Sequence, residues 1–362
     1  MPTFVVETPR ERYPVNVSRG ALAALAEHIP AKAGKLFVVT TRDVWDLHGE
    51  RMKAALGSKS FDVLFFPGGE ERKRMASVEE LAEQMVRAGA DRTSLVIAFG
   101  GGIVGDLGGF LAAIFMRGIS LIQVPTTLLA QVDAGVGGKT GANLVGGKNL
   151  IGAFHQPLAV LIDPDVIATL PAREYRAGLY EVLKCGIIRS PKLFERMSAD
   201  AAKVLAMDAA VVEEIIAESV RIKAEVVSAD EKEGGLRRIL NYGHTIGHAL
   251  EAETQYKRLL HGEAVAFGMR AVSHLGRLVG TCSEADAKMM NDAIDAYGAL
   301  PALDGVTAES LVARLGSDKK TIQGRVHFVL AESIGSVVVR SGIEVPVIRE
   351  ATERALRELA KA

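Results

Sequence analysis

SLVIAFGGGIVGDLGGFLAAI, residues Ser94 to Ile114, joins an apolar β-branched run to a glycine-rich turn and then to an apolar helical stretch. Ser94 to Gly100 predicts a buried strand. The following Gly100 to Asp106 matches the G-x-G-x-x-G spacing, so the backbone N–H groups and positive helix end of a strand-to-helix turn could receive a pyrophosphate. No acidic residue closes the next strand, so the dinucleotide fingerprint is incomplete. The bland alternative is a tight turn with close helix packing through Gly105, Gly108 and Gly109. Outward from this stretch, Lys35 to Thr40, Asp62 to Pro67, Ser120 to Pro125 and Ala159 to Pro164 are further short apolar runs bounded by turn residues. Between two of them, Ser77 to Ala90 carries apolar residues at helical spacing, with Ser77 as N-cap and Glu80 three residues on. Strand–helix alternation predicts a mostly parallel sheet with helices on both faces, the arrangement that binds ligands at the carboxyl ends of its strands.

From about Pro171 strand-like runs vanish. Helical periods occupy Ala172 to Ile188, Ala209 to Val227, Thr245 to Glu253, Glu263 to Val279, Ser283 to Tyr297 and Val345 to Leu359. A small hairpin is expected at His327 to Leu330 and Ser336 to Val339, around Gly335. The expected division is therefore residues 1–170 as an α/β domain and 171–362 as a mainly helical one, the size of each being ordinary for a chain of 362 residues. The chain has 43 Lys plus Arg against 44 Asp plus Glu, a balance that lacks the long-range attraction of a nucleic-acid or anionic-membrane binder. Cys185 and Cys282 are too few for a disulfide framework and lack the spacing of a thiolate zinc site, so a reducing cytoplasm is expected. The N-terminus has no basic patch followed by an apolar run, and no stretch is apolar enough to span a membrane.

A second glycine-rich stretch, Gln131 to Gln156 (QVDAGVGGKTGANLVGGKNLIGAFHQ), presents Lys139 and Lys148 after Gly-Gly pairs. It fails the Walker spacing, and reads as a loop whose lysines grip phosphate or carboxylate oxygens as point charges. In the helical half, Asn241 to His248 places His244 and His248 four residues apart, on one face of a helix. His261 follows in HGEAV, and Glu181 lies upstream in LYEVLK. Two His and a carboxylate, with one position left open, is the donor set of catalytic zinc. Spacing leaves two assignments: His244 and His248 ligate with Glu181 or Glu251, or one of them ligates with His261 while the other does acid–base work. A hydrogen-bonded core histidine is the plainer reading of any one of these imidazoles. Arg117, Lys184, Lys223, Arg237, Lys319 and Lys320 singly read as solvated charges; together with a metal they point to a substrate with more than one anionic group.

At these residues the chain closely resembles the 3-dehydroquinate synthase family over nearly its whole length. The likeness is carried by GGGIVGDLGGFLAAIFMRGI, VPTTLLAQVDAGVGGKTGANLVGGKNLIGAFHQP, LYEVLKCGII, LRRILNYGHTIGHALE, LHGEAVAFGM and the Asp-Lys-Lys at Lys319. The resemblance implies an N-terminal Rossmann-like nucleotide-binding α/β domain, a helical metal- and substrate-binding domain, and an active site in the cleft. It implies zinc, or cobalt, held by Glu181, His244 and His261, with His248 left for proton transfer. NAD is implied at Gly69, Glu70, Glu71, Arg72 and Lys73, at Gly101, Gly102, Ile103, Val104, Gly105 and Asp106, and at Thr126, Thr127, Lys139, Lys148 and Thr169. Substrate is implied at Arg117, Asp133, Lys139, Lys148, Asn149, Lys184, Lys223, Arg237, Asn241 and one of Lys319 and Lys320. The chain departs from the family's usual pattern at Ala134-Gly135, Leu144-Val145 and Thr41, the last followed by Asp43.

The implied reaction converts 3-deoxy-D-arabino-heptulosonate 7-phosphate into 3-dehydroquinate and phosphate in aromatic amino-acid biosynthesis (the shikimate pathway, leading to chorismate), by transient oxidation with NAD, β-elimination of phosphate, re-reduction and intramolecular aldol closure, in a protein that is commonly a cytoplasmic homodimer. Three other readings stand beside it. A polyol dehydrogenase needs no phosphate grip of the Lys139 to Asn149 kind; a cyclase of another sugar phosphate is opposed by Lys223, Arg237, Asn241 and His248; a non-catalytic sensor of NAD and metal has no need of every catalytic position filled.

Overall fold

A computed structural model describes residues 2–315 and 326–360 of the chain. Lys319 and Lys320 therefore lie outside the described residues. The strands β1 (Thr3–Glu7), β2 (Arg12–Val17), β3 (Leu36–Thr40), β4 (Phe61–Phe65), β5 (Leu95–Gly100), β6 (Ser120–Pro125) and β9 (Ala159–Ile162) form one sheet in the order β1-β2-β9-β6-β5-β3-β4. Only β1 and β2 pair antiparallel; every other neighbouring pair is parallel. The inner strands β3, β5 and β9 are buried throughout and largely apolar because both faces are covered. On one face, Phe37, Val39, Val96 and Ala98 pack with Val78, Leu81 and Met85 of α2 (Met75–Arg87) and Leu107 and Leu111 of α3 (Gly102–Ile114). On the other, Leu36, Val38, Leu95 and Ile97 pack with Met52 and Leu56 of α1 (Arg42–Leu56) and with Leu22 and Leu25 of the 3-10 segment Ala21–His28. Alternate residues of each strand serve opposite cores, as the period of two requires.

The glycine-rich stretch expected as a loop is an antiparallel hairpin, β7 (Lys139–Leu144) with β8 (Gly147–Phe154), lying along α3. Gly141 and Gly152 face each other across it, and without side chains they leave no period-two pattern to read.

The second unit contains α4 (Ala172–Arg189), α5 (Pro191–Ala199), α6 (Ala201–Leu205), α8 (His244–Glu253), α9 (His261–Leu278), α10 (Glu284–Asp295), α11 (Ala308–Leu315), α12 (Val345–Leu359) and the hairpin β10 (His327–Ser333) with β11 (Ser336–Ser341). Helix α9 is its centre, buried without interruption from Gly262 to Gly276 and packed on α4, α8, α10 and α12. Its buried polar residues are paired: Glu263 with Arg173, Arg270 with Asp295 and Glu358, and His274 with Glu358.

The division of the chain is discontinuous. One compact unit is Met1–Pro171 with Val212–Lys232; the other is Ala172–Val211 with Glu233–Ala362. Most of α7 (Ala209–Ala229) thus belongs with the sheet, where a single boundary near residue 170 had put it with the helices. Its fastenings explain this: Lys223 pairs with Asp133, Ser228 Oγ accepts from the Glu7 amide, and Glu213 lies 3.7 Å from Arg19 Nε. Just beyond it, Glu231 accepts from Gln156 at 2.9 Å. No helix among the described residues is long and apolar enough to cross a membrane.

Candidate functional sites in the two units

In the first unit, β5 ends at Gly100 and α3 starts two residues later with Gly101 as N-cap and no side chain capping it. The opening N–H groups of a helix have no acceptor within it, so this end is suited to an anion. Ile103, Val104 and Gly105 lie in the first turn, and Asp106 follows. Lys73, its side chain buried, pairs with Asp106 and donates to Asn149 Oδ1 at 2.6 Å. Burial pushes the Asp106 carboxyl upward in pKa, while the Lys73 ammonium pulls it back.

The turn Gly69 to Lys73, which includes Glu71 and Arg72, is joined to the tip of the β7–β8 hairpin. Asn143 Nδ2 donates to Glu70 Oε1 at 2.7 Å, the Asn143 amide to the Lys73 carbonyl at 2.7 Å, and the Asn149 amide to Asn143 Oδ1 at 2.8 Å. Lys148 Nζ stands 3.7 Å from Glu70 Oε2. The Thr126 amide donates to the Gly100 carbonyl at 2.9 Å, and Thr127 Oγ1 accepts from the Ala130 amide at 3.2 Å. Lys223, on α7, stands with its Nζ 2.5 Å from Asp133 Oδ1. Thr169 Oγ1 is hydrogen-bonded to His48 Nε2 at 2.9 Å. Lys139 opens β7, and Arg117 follows the C-terminal end of α3, the opposite end of that helix from Asp106.

In the second unit, three helices deliver a carboxylate and three imidazoles to one place. Close approach of backbones makes this possible. A Cβ on Gly262 would stand 1.9 Å from the Ala177 carbonyl oxygen of α4, and one on Gly268 would stand 1.9 Å from the Gly243 carbonyl oxygen before α8, so only glycine fits either crossing. His244 and His248 lie on one face of α8, and His261 opens α9. Their ring centroids are 5.3 to 5.7 Å apart, and one nitrogen from each ring lies within 4.8 Å of the others.

Glu181, from the middle of α4, is fully buried with Oε1 3.6 Å from His244 Nε2 and 3.5 Å from His261 Nε2. Both distances are too long for good hydrogen bonds. They match two donors on one tetrahedral ion, whose ligand atoms at about 2.0–2.2 Å from the metal stand about 3.4 Å from each other. Neither Glu181 oxygen receives a hydrogen bond in line, although the Lys184 ammonium lies 2.5 Å from Oε2 and balances its charge. A buried carboxylate that faces two imidazole nitrogens, with no hydrogen bond in line on either oxygen, fits a divalent cation.

Behind the imidazoles, His244 Nδ1 donates to the Tyr242 carbonyl at 3.1 Å, and His261 Nδ1 stands 3.2 Å from Glu251 Oε2. Sequence reasoning weighed Glu251 only as a ligand. Its place beside His248 and His244 at helical spacing signalled a shared face, but not that it stands behind a third ring. Arg237 is buried on the segment Leu236–Asn241, and Asn241 donates to Glu233. Arg173 and Glu263, which spacing did not single out, form a two-pronged pair at 2.7 and 2.8 Å where α9 begins.

Among solved structures, 2-epi-5-epi-valiolone synthase from Streptomyces hygroscopicus subsp. jinggangensis 5008, with NAD+ and Zn2+ bound, is similar at a TM-score of 0.87 and 31% identity, over 96% of this chain and 97% of that one. A 2-deoxy-scyllo-inosose synthase complexed with carbaglucose-6-phosphate, NAD+ and Co2+ is similar at 0.87 and 26%, over 98% and 99%. The fold is that of the sugar phosphate cyclases. Family models for the 3-dehydroquinate synthase N-terminal and C-terminal regions match residues 63–177 and 178–321, and the chain is 61% identical to the 3-dehydroquinate synthase of Solibacter usitatus (strain Ellin6076) over 98% of its length and 100% of that protein's. The chain belongs to the 3-dehydroquinate synthase family.

Proposed function

We propose that this chain converts 3-deoxy-D-arabino-heptulosonate 7-phosphate into 3-dehydroquinate and phosphate, as a carbon–oxygen lyase of the shikimate pathway that uses NAD and zinc or cobalt and works as a cytoplasmic homodimer. Beyond family membership, the observation that carries the metal half is the buried Glu181 carboxylate, turned toward His244 and His261 with no hydrogen bond in line on either oxygen. When bound, the cation supplies Lewis acidity toward substrate oxygens and NAD supplies a hydride acceptor.

The chain's own residues do the rest. Tyr242 holds His244 through its carbonyl, so Nε2 presents a lone pair. His248, in the same imidazole cluster and assigned no ligand role, moves a proton on a substrate hydroxyl. Lys184 offsets the charge of Glu181. In the first unit the N-terminal end of α3 receives pyrophosphate, with Gly69 to Lys73, Thr126, Thr127 and Thr169 around the nucleotide. Lys139, Lys148, Asn149, Arg117, Asp133, Lys223, Arg237 and Asn241 hold the substrate's anionic and hydroxyl groups, a role in which Lys148 and Asn149 exchange their contacts with Glu70 and Lys73 for phosphate oxygens.

The substrate and the carbocyclic product differ by the elements of phosphoric acid alone, so the net reaction is redox-neutral. Pure protein given the heptulosonate phosphate, a divalent cation and substoichiometric NAD is expected to release many phosphates per NAD, with reduced nicotinamide staying at or below the enzyme concentration. NADH rising in proportion to substrate consumed would instead mean a dehydrogenase.

A further inference from the structure

We infer that Glu251 is a positioning residue: it fixes the His261 ring so that Nε2, and not Nδ1, is offered to the cation. The inference rests on the metal reading above. The two nitrogens of His261 face different groups, Nε2 toward Glu181 Oε1 at 3.5 Å and Nδ1 toward Glu251 Oε2 at 3.2 Å. An ionised carboxylate only accepts, so the ring proton sits on Nδ1 and the lone pair on Nε2. Glu251 accordingly stands on the far side of the ring from Glu181, which removes it as a ligand to the same ion.

The two ligating imidazoles are anchored unequally, and burial explains why. The His244 side chain is 9% exposed, and packing leaves its ring little freedom; a neutral carbonyl, that of Tyr242, suffices behind it. The His261 side chain is 31% exposed and is the first residue of its helix, so packing does less to hold it. Its anchor is a charged group whose side chain is only 4% exposed, where a charge-assisted hydrogen bond is strongest. Glu263 holds the backbone of the same corner, accepting from the Leu260 amide at 2.8 Å while gripped by Arg173. Glu251 and His244 share α8, so the ring of His261 is referred to the helix that carries the other imidazole.

The test is Co2+ titration of the full chain, reading both the dissociation constant and the visible spectrum of the Co2+ form. Glu251→Gln keeps an acceptor oxygen and is expected to bind within a few-fold of wild type with an unchanged spectrum. Glu251→Leu removes the acceptor at similar volume and is expected to bind about 10- to 100-fold more weakly, with a shifted spectrum. Wild-type affinity and spectrum in Glu251→Leu overturn the inference alone; a wild-type chain that takes up no ion overturns the metal reading and the inference together. Should the Leu variant not fold, nitrogen NMR of His261 in the cation-free wild type, at a pH where the ring is neutral, decides. A proton on Nδ1 upholds the assignment, and a proton on Nε2 overturns it.

Discussion

The sites in the two units handle charge in opposite ways. In the first, the cationic side chains already have carboxylates: Lys73 with Asp106, Lys148 with Glu70, Lys223 with Asp133. An anion that binds there must take these lysines from partners in place, so its affinity is what remains after ion pairs are exchanged. In the second, Glu181 lies buried with no hydrogen bond in line and two imidazole nitrogens converging on it. A cation that binds at Oε1 between the imidazoles can leave the Lys184–Oε2 pair in place. The first site therefore binds by exchanging ion pairs, and the second is set in advance by helix packing.

The largest expected effect lies in the second site. His244→Ala and His261→Ala should each lose the bound cation, because two protein ligands are too few for a stable site, whereas His248→Ala should keep one ion per chain and lose about 100-fold or more in turnover. Metal analysis of the three purified variants decides. Equal loss in His248→Ala would restore the pairing of His244 with His248 as ligands and overturn the assignment of His248 to proton transfer.

A smaller effect is expected in the first. Lys73→Met leaves Asp106 with its carboxyl in a site that burial already disfavours, at a cost of about 3 kcal/mol in urea unfolding, and Lys73→Met with Asp106→Leu should recover most of it. A cost below about 0.5 kcal/mol, the range of exposed ion pairs, would show that the pair is exchanged freely with water and would erase the contrast between the sites.

Strands such as Leu36–Thr40 and Leu95–Gly100 were legible because both of their faces are buried, which leaves near-continuous β-branched runs. The β1–β2 hairpin was not: Arg12 and Pro14 interrupt its second strand, and its first is largely exposed. Gly141 and Gly152 hid β7–β8 in the same way that they allow it to pack. At the second site the pairing of His244 with His248 follows from helical spacing, but nothing in spacing relates Glu181 to His261. Their meeting depends on the crossing of α4 and α9 at Gly262, a backbone contact that a linear pattern does not record. The same holds for Lys223 and Asp133, brought together by a helix that returns to the sheet.

The smallest effect concerns His48, the partner of Thr169. Burial lowers the His48 pKa below its ordinary 6.5, with Arg51 adding to the shift and Asp163 opposing it. The unfolded chain then binds more protons than the folded one as pH falls through about 6.5, so stability is full above that value and declines below it. Thermal midpoints between pH 8 and pH 5 should fall less steeply in His48→Gln than in wild type. An identical slope would show that the imidazole titrates alike in the folded and unfolded chain.

The return of Val212–Lys232 to the sheet unit also bears on how the protein can be taken apart. A gene cut after Pro171 encodes the strands without the helix that brings Lys223 to Asp133 and Ser228 to Glu7, and the remaining fragment carries that helix without those two partners. Neither half is a transferable module. Exchange of parts between relatives therefore has to carry two separate pieces of sequence at once, or splice within Ala172–Val211 and Glu233–Ala362 and leave the returning helix with its native sheet.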